Sequence, residues 1–186
     1  MFIQRTLIKC SCSCSSAPDQ KATNEIEMEE ESYGNTSDVK ETMTTKLVVD
    51  TVTYDRLATG DKPYSQFYHS KSGDNFIRFK TSGSSDYVVI VKYADNDEVV
   101  NHVYIRGGDV TQLYVPNGNY YVYFYSGNGG WNPNKIKGGV RGGFARHETL
   151  QKDGPISLRY QECEYTLYPV SYGNLTLSPT NEDEAF

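Results

Sequence analysis

Three cysteines near the start of the chain have the chemistry to bind a soft metal ion or to carry a lipid. Cys10, Cys12 and Cys14 alternate with serines. Structural zinc sites use wider spacing and further Cys or His ligands, so we expect no metal and no other cofactor. Lipidation of one cysteine, from a translation start further upstream, is the alternative that this thiol cluster leaves open. Residues 1–8 as written form a poor secretory signal, because they carry Arg5 and lack an apolar core.

Residues for catalysis are present but not in catalytic patterns. The sequence has no G-x-S-x-G or H-E-x-x-H motif, and Cys163 lies within an alternating strand pattern typical of a small buried side chain. The three histidines, at 69, 102 and 147, are far apart. The glycines of 138–143 lack the G-K-[ST] of a phosphate-binding loop, and Asp95-Asn96-Asp97 is explained by a turn. We therefore expect that the protein is not an enzyme.

Composition limits the partners. The chain has 186 residues and a formal net charge of -6, which favours one medium domain with a tail and argues against a nucleic-acid partner. No run approaches the roughly 20 apolar residues of a membrane span. The hydrophobic fraction is only 37%, but 16 tyrosines provide amphipathic rings that can fill a core.

The stretch from Asp86 to Trp131 predicts successive β-strands separated by tight turns. Residues 87–93 are apolar at both parities, which indicates a central strand covered on both faces. From residue 99 the pattern alternates, with Val99, Val103 and Ile105 on one predicted face. Pro116-Asn117-Gly118 is typical of a hairpin turn.

The next strand places two aromatic rows back to back. Tyr120, Val122 and Phe124 share one face, and a second row lies opposite, comprising Tyr121, Tyr123 and Tyr125. Such a row suits a partner protein or a flat sugar face, but we favour burial of at least part of it.

Residues 127–143 form a glycine-rich stretch around the only tryptophan, Trp131. One interpretation is a long functional loop, since dense glycine permits close approach of a ligand or a second chain. Together with the tyrosine row, the candidate binding residues in this region are Trp131, Asn132 and Phe144. The alternative is a hairpin in which Trp131 and Phe144 cap one end of the core, and we favour that alternative.

The chain divides into three predicted parts. Residues 1–45 are a Cys/Ser-rich start and an acidic, flexible tether, 46–180 the folded domain, and 181–186 an acidic tail. The first predicted strand, 46–54, alternates in polarity. It pairs within its own domain or, as an alternative, adds to a neighbouring copy.

Several ordered motifs resemble a family of small, uncharacterised β-rich proteins of Bacteroidetes. The resemblance covers residues 57–186 and is carried by Thr59-Gly60 with Pro63-Tyr64, His102 to Arg106, Pro116 to Gly118 with Tyr120, Gly130 to Lys135, Gly142 to Phe144, and Glu184 to Phe186. It implies a bacterial, envelope-associated or secreted setting, and no catalytic residues. The hairpin ending in V-P-N-G-N-Y is also similar to strand pairs of transthyretin-like and carboxypeptidase-regulatory β-sandwiches.

We therefore predict an all-β protein, a two-sheet antiparallel β-sandwich of the immunoglobulin or transthyretin-like type, behind a disordered N-terminal tether. The predicted function is a non-enzymatic interaction or structural module of the cell envelope or extracellular space. One alternative is a carbohydrate-binding module that uses Trp131 and exposed tyrosines. Another is a self-assembling subunit that donates residues 46–54. A protein or glycan partner is expected, and self-association remains open.

Overall fold

Alternating β-branched and aromatic residues define most of the strands. The computed structural model describes residues 4–9, 52–67, 72–167, 175 and 177–186, all within one compact unit. These residues form nine β-strands, a 3₁₀ turn and a short helix: β1 Gln4–Lys9, the turn Ser65–Phe67, β2 Asn75–Thr81, β3 Asp86–Tyr93, β4 Val99–Ile105, β5 Val110–Val115, β6 Gly118–Lys137, β7 Val140–Leu158, β8 Gln161–Leu167, β9 Ser178–Pro179 and α1 Glu182–Ala185. None of the helices within these ranges is long and apolar enough to cross a membrane.

The strands form two sheets, in the order β1-β8-β2-β5 and β4-β3-β6-β7-β9. The predicted all-β, two-sheet sandwich is confirmed. It is not wholly antiparallel, because β2 and β8 run parallel, with Ile77 opposite Cys163. These two strands are distant in sequence, so no hairpin forces them to run antiparallel.

Two hydrophobic clusters cover both faces of the five-stranded sheet. The sandwich core lies between the sheets and includes Tyr120, Val122 and Phe124 of β6. The aromatic core lies on the opposite face, under the segments of residues 57–67 and 181–186. Its buried members are Tyr64, Val88, Ile90, Tyr104, Tyr123, Tyr125, Trp131, Val140, Phe144 and Ala185. Because both faces are covered, β3 is apolar at both parities, and its predicted central position is confirmed.

A bulge in the pairing of β3 with β4 changes the predicted face of one valine. The register shifts between Val91 and Lys92, which pair with Asn101 and Val99. Val100 consequently joins the sandwich core, and Val99 packs against the aromatic core. The prediction that Val99 shares a face with Val103 was therefore wrong, because an inserted residue reverses the alternation beyond it.

The glycine-rich stretch is not a loop but part of a long, bulged hairpin of β6 and β7, with register shifts along its length. Glycine serves here for close approach within the chain: a Cβ on Gly130 would lie 1.7 Å from the carbonyl oxygen of Tyr54. The amide of Trp131 donates to the carbonyl of Asp55 at 2.9 Å. The loop prediction was wrong, and the favoured alternative of a hairpin is confirmed.

Pro116-Asn117 does not make a hairpin turn, as the sequence predicted, but connects the two sheets, because β5 pairs with β2 and β6 with β3 and β7. The side chain of Asn117 holds this crossing, since its Oδ1 accepts from Asn75 Nδ2 at 3.0 Å and from the amide of Tyr160 at 3.0 Å. A turn motif predicts a reversal, but not which strand the chain then pairs with.

Two expectations concern the N-terminal region. Residues 4–9, which the sequence placed ahead of the domain, form β1 and pair with β8. Of the predicted first strand, residues 46–51 lie outside the described residues, and residues 52–54 are not in a strand. The cysteines at 10, 12 and 14 also lie outside the described part of the chain.

Candidate functional site

Most of the predicted binding residues meet in the aromatic core. Tyr121, Tyr123 and Tyr125 project from one face of β6, and the bend in the hairpin brings Trp131 opposite Phe144 of β7. The Trp131 and Phe144 ring centroids are 5.3 Å apart, and those of Tyr125 and Phe144 are 4.9 Å apart. The alternation along β6 together with the hairpin pairing therefore creates this cluster.

Trp131 packs as a core residue. It is 7% exposed, and its ring contacts Tyr64 at 5.7 Å and Tyr104 at 5.9 Å, edge to face. Neither face of the indole is available for stacking on a sugar. Asn132 lies outside the cluster, where its Oδ1 accepts from the amide of Asn134 at 2.9 Å.

Burial differs along the tyrosine row. Tyr123 and Tyr125 are each 2% exposed, whereas Tyr121 is half-buried. The expectation that part of this row is buried is confirmed. Lysines lie over the two outer rings, with Lys92 Nζ 5.4 Å from the Tyr123 centroid and Lys152 Nζ 5.6 Å from that of Tyr121.

A carboxylate, Glu148, lies at the inner end of the tyrosine row. Glu148 accepts a hydrogen bond from the Tyr125 hydroxyl and pairs with Lys135 Nζ at 2.7 Å and Lys137 Nζ at 3.0 Å. Burial opposes its ionisation, but the hydrogen bonds from Lys135, Tyr125 and Lys137 outweigh burial and lower its pKa. Burial and Glu148 together raise the pKa of Tyr125. Near neutral pH this group is a fixed anion and not a proton donor.

A second carboxylate, the buried Asp86, fastens the segment of residues 52–62 to the sheet. Asp86 accepts from Arg56 Nε at 2.9 Å, the Tyr104 hydroxyl at 2.6 Å and the amide of Gly107 at 2.8 Å. Burial raises its pKa, but the bonds from Arg56, Tyr104 and Gly107 prevail and lower it. Its lone pairs are occupied by the protein, so Asp86 has a structural role.

Two buried polar atoms have no hydrogen-bond partner among the described residues, the Tyr64 hydroxyl and His102 Nδ1. The two rings stack with centroids 5.9 Å apart, and His102 Nε2 accepts from the amide of Tyr64 at 3.2 Å. Burial, aided by Lys62, lowers the pKa of His102 to about 4. His102 is therefore a neutral core residue at neutral pH. No group of three potential metal ligands occurs in the described ranges.

The outer edge of β5 pairs with no other described strand, and the sequence analysis missed it. β5 is the last strand of its sheet. Asp109 accepts from Thr81 on β2, whereas the Tyr114 carbonyl accepts from Asn101 Nδ2 on the opposite side. The N–H and C=O groups of successive residues in a strand point to opposite sides. Those of Val110, Gln112 and Tyr114 therefore point away from β2.

The edges at β4, β9 and β1 each have a feature that blocks strand pairing. The backbone of residues 60–61 pairs with the edge of β4, where Gly60 donates to Tyr104 at 2.9 Å and Tyr104 donates to Asp61 at 2.8 Å. β9 has two residues, one of them a proline, and β1 contains Arg5 and Lys9. β5, with the sequence VTQLYV, has neither charge nor proline. Of these four terminal strands, β5 is therefore the one without the features that usually block strand pairing.

A cleft of about 290 Å³ runs beside this edge, lined by Gly60, Lys62, Ser72, Asn101, Val103 and residues 111–114. Two large apolar side chains flank it on the outer surface, because Val110 is 58% and Tyr114 is 47% exposed. The sequence signal that could have identified the edge was the uncharged strand itself, but only the sheet order shows that this strand is last.

Comparison with known proteins identifies no relative. No protein-family model, no curated protein and no solved structure matches this chain.

Proposed function

We propose that this protein is a non-enzymatic interaction module, and that it binds an extended segment of a partner protein by strand addition to β5. The observation that carries the proposal is the outer edge of β5, which no other described strand covers and where three residues direct their backbone groups away from β2. Strand addition gives affinity through main-chain hydrogen bonds and specificity through alternate side-chain pockets.

The surroundings of the edge suit an added strand. The cleft between β5 and the segment at Gly60 and Lys62 leaves space for a chain alongside residues 111–114. On the outer surface, Val110 and Tyr114 offer apolar area that cross-strand side chains would cover. An added strand would displace the contact from Asn101 Nδ2 to the Tyr114 carbonyl, which measures 3.2 Å.

The location that goes with this proposal, the bacterial cell envelope or extracellular space, rests on the family resemblance. The self-assembly alternative uses the same edge, with residues 46–54 of a neighbouring copy as the added strand. The carbohydrate alternative depends on stacking by Trp131, whose enclosure leaves it without that platform.

To test the proposal, peptides that bind the full chain are selected from a displayed random library. A peptide of residues 46–54 is assayed for binding in parallel. We expect selected peptides to bind the Tyr114→Lys variant about tenfold or more weakly than the wild type, because a lysine on an edge disfavours pairing. Tyr160→Lys is the matched control, since Tyr160 is 68% exposed but lies in the turn after β7. Binding that survives Tyr114→Lys unchanged, or a selection that yields no binder, would contradict strand addition at β5.

A further inference from the structure

The segment of residues 181–186 is bound to the five-stranded sheet as a peptide ligand would be. Its binding surface, the lysine-tyrosine groove, comprises Tyr64, Lys92, Tyr121, Tyr123, Tyr125, Lys137, Gly138 and Lys152. Asn181 caps α1 by accepting from the amide of Glu184 at 2.9 Å. A four-residue helix has little stability by itself, so the groove determines its conformation.

Charge complementarity fixes the acidic part of the segment. Glu182 pairs with Lys137 Nζ at 2.7 Å, and Glu184 pairs with Lys152 Nζ at 2.5 Å. Lys92 Nζ also donates to the backbone carbonyl of Glu184 at 2.6 Å. The hydrogen bonds from these lysines lower the pKa of Glu182 and Glu184. The groove therefore selects an acidic sequence.

An aromatic anchor completes the fit. The Phe186 ring contacts Tyr64 at 5.4 Å and Tyr125 at 5.5 Å, both edge to face, and Ala185 is fully buried. The segment also lies so close to the hairpin turn that a Cβ on Gly138 would be 2.7 Å from the Cβ of Phe186. A residue with a side chain at position 138 would therefore push the segment out of the groove.

These contacts are local to the segment and the groove, so the same segment from another molecule offers the same contacts. We propose that the lysine-tyrosine groove is a peptide-recognition site, and that it accepts residues 178–186, the segment together with β9, from a second copy of this chain in exchange for its own. Exchange of identical elements is a low-cost route to a dimer. The groove lies on a different sheet from β5, so this inference does not depend on strand addition there.

Two complementary full-length variants test the exchange. The groove-defective variant combines Gly138→Ala with Lys152→Glu and keeps an intact segment. The segment-defective variant carries Phe186→Ala and keeps an intact groove. In each variant alone, the resident segment is held poorly. In a mixture, the segment of the first fits the groove of the second.

We expect the mixture to form a one-to-one complex in sedimentation velocity, while each variant alone stays monomeric. With the segment-defective variant labelled for NMR, amide shifts should map to residues 121–125, 137–138 and 152. A control partner carries Gly139→Ala and Arg159→Glu. Gly139 has a φ of 80° with open space around it, so this partner has similar backbone strain without a clash.

The control partner keeps its own segment in place, and we expect it to associate at least about tenfold more weakly because the resident segment competes at high effective concentration. Circular dichroism checks that each variant is folded. A mixture of folded variants that stays monomeric, or that shifts no groove amide, would overturn the proposal. Adding Tyr114→Lys to both variants should leave the complex intact, which separates this site from the β5 edge.

Discussion

Two carboxylates, the buried Asp86 and the half-buried Glu148, join segments of this chain. Asp86 and Glu148 are both ionised, yet each is surrounded by donors from its own chain. A catalytic acid or base needs a free proton-transfer partner and a pKa near the working pH. The environments of these two carboxylates lower their pKa instead, which supports a structural role for both.

His102 gives the protein a specific acid sensitivity. Its pKa is about 4 in the fold and about 6.5 as the ordinary value, so between these limits the unfolded state binds a proton that the folded state does not. Stability therefore falls as the pH drops from about 6.5 towards 4, by up to ~3 kcal/mol from this residue.

Urea unfolding of wild type, His102→Gln and His147→Gln at pH 6.5 and pH 5 measures this effect. We expect His102→Gln to reduce the loss of stability in this window, because glutamine can accept the Tyr64 amide but does not titrate. His147 is exposed, so its variant should behave as the wild type does. Equal slopes for all three proteins would show that His102 is not the titrating group.

At the scale of elements, the β6-β7 hairpin contributes Trp131, Val140 and Phe144 to the aromatic core. Trp131→Ala removes a ring enclosed by aromatic neighbours, so we expect it to reduce the free energy of unfolding by about 3–5 kcal/mol. Ile136→Ala on the same strand changes a side chain that is 70% exposed and should cost less than about 0.5 kcal/mol. Denaturant unfolding compares the two. Equal small losses would indicate that the indole is not packed as described.

The alternation of side chains along the sequence was enough to predict which residues of a regular strand share a face. Tyr120, Val122 and Phe124 face the sandwich core, as their spacing predicted, and the opposite tyrosine row is largely buried. The bulge at Val99 could not be predicted, because it depends on the register with β3. The glycines of 127–143 are typical of loops, and the sequence could not show that the backbone of residues 54–55 packs against the hairpin at Gly130 and Trp131.

At the scale of the whole molecule, the described residues form three layers of packing, and their terminal strand β5 lacks the usual edge protection. The first sheet, the five-stranded sheet and the covering segments bury most of the described aromatic rings. The acidic residues 181–186, which the sequence suggested as a tail, supply Ala185 and Phe186 to the aromatic core. Sequence alone could not separate buried tyrosines from a binding surface, since both use amphipathic rings on a strand.

Sheet order is the property that turns a strand into a binding site, and it depends on long-range pairing. VTQLYV would be an ordinary interior strand if another strand lay beyond it. As the last strand, with Val110 and Tyr114 exposed, it offers a partner both main-chain groups and apolar contact. We therefore propose that the outward backbone groups of β5 are the binding groups.

Amide hydrogen exchange of β5, measured residue by residue with and without a selected peptide, tests that claim most directly. Strand addition predicts that the amides of Val110, Gln112 and Tyr114 become protected by roughly tenfold or more on binding, as new backbone hydrogen bonds form. The amides of Thr111 and Leu113 already face β2 and should change little. Protection confined to other parts of the protein, or equal protection of successive amides along β5, would contradict strand addition at this edge.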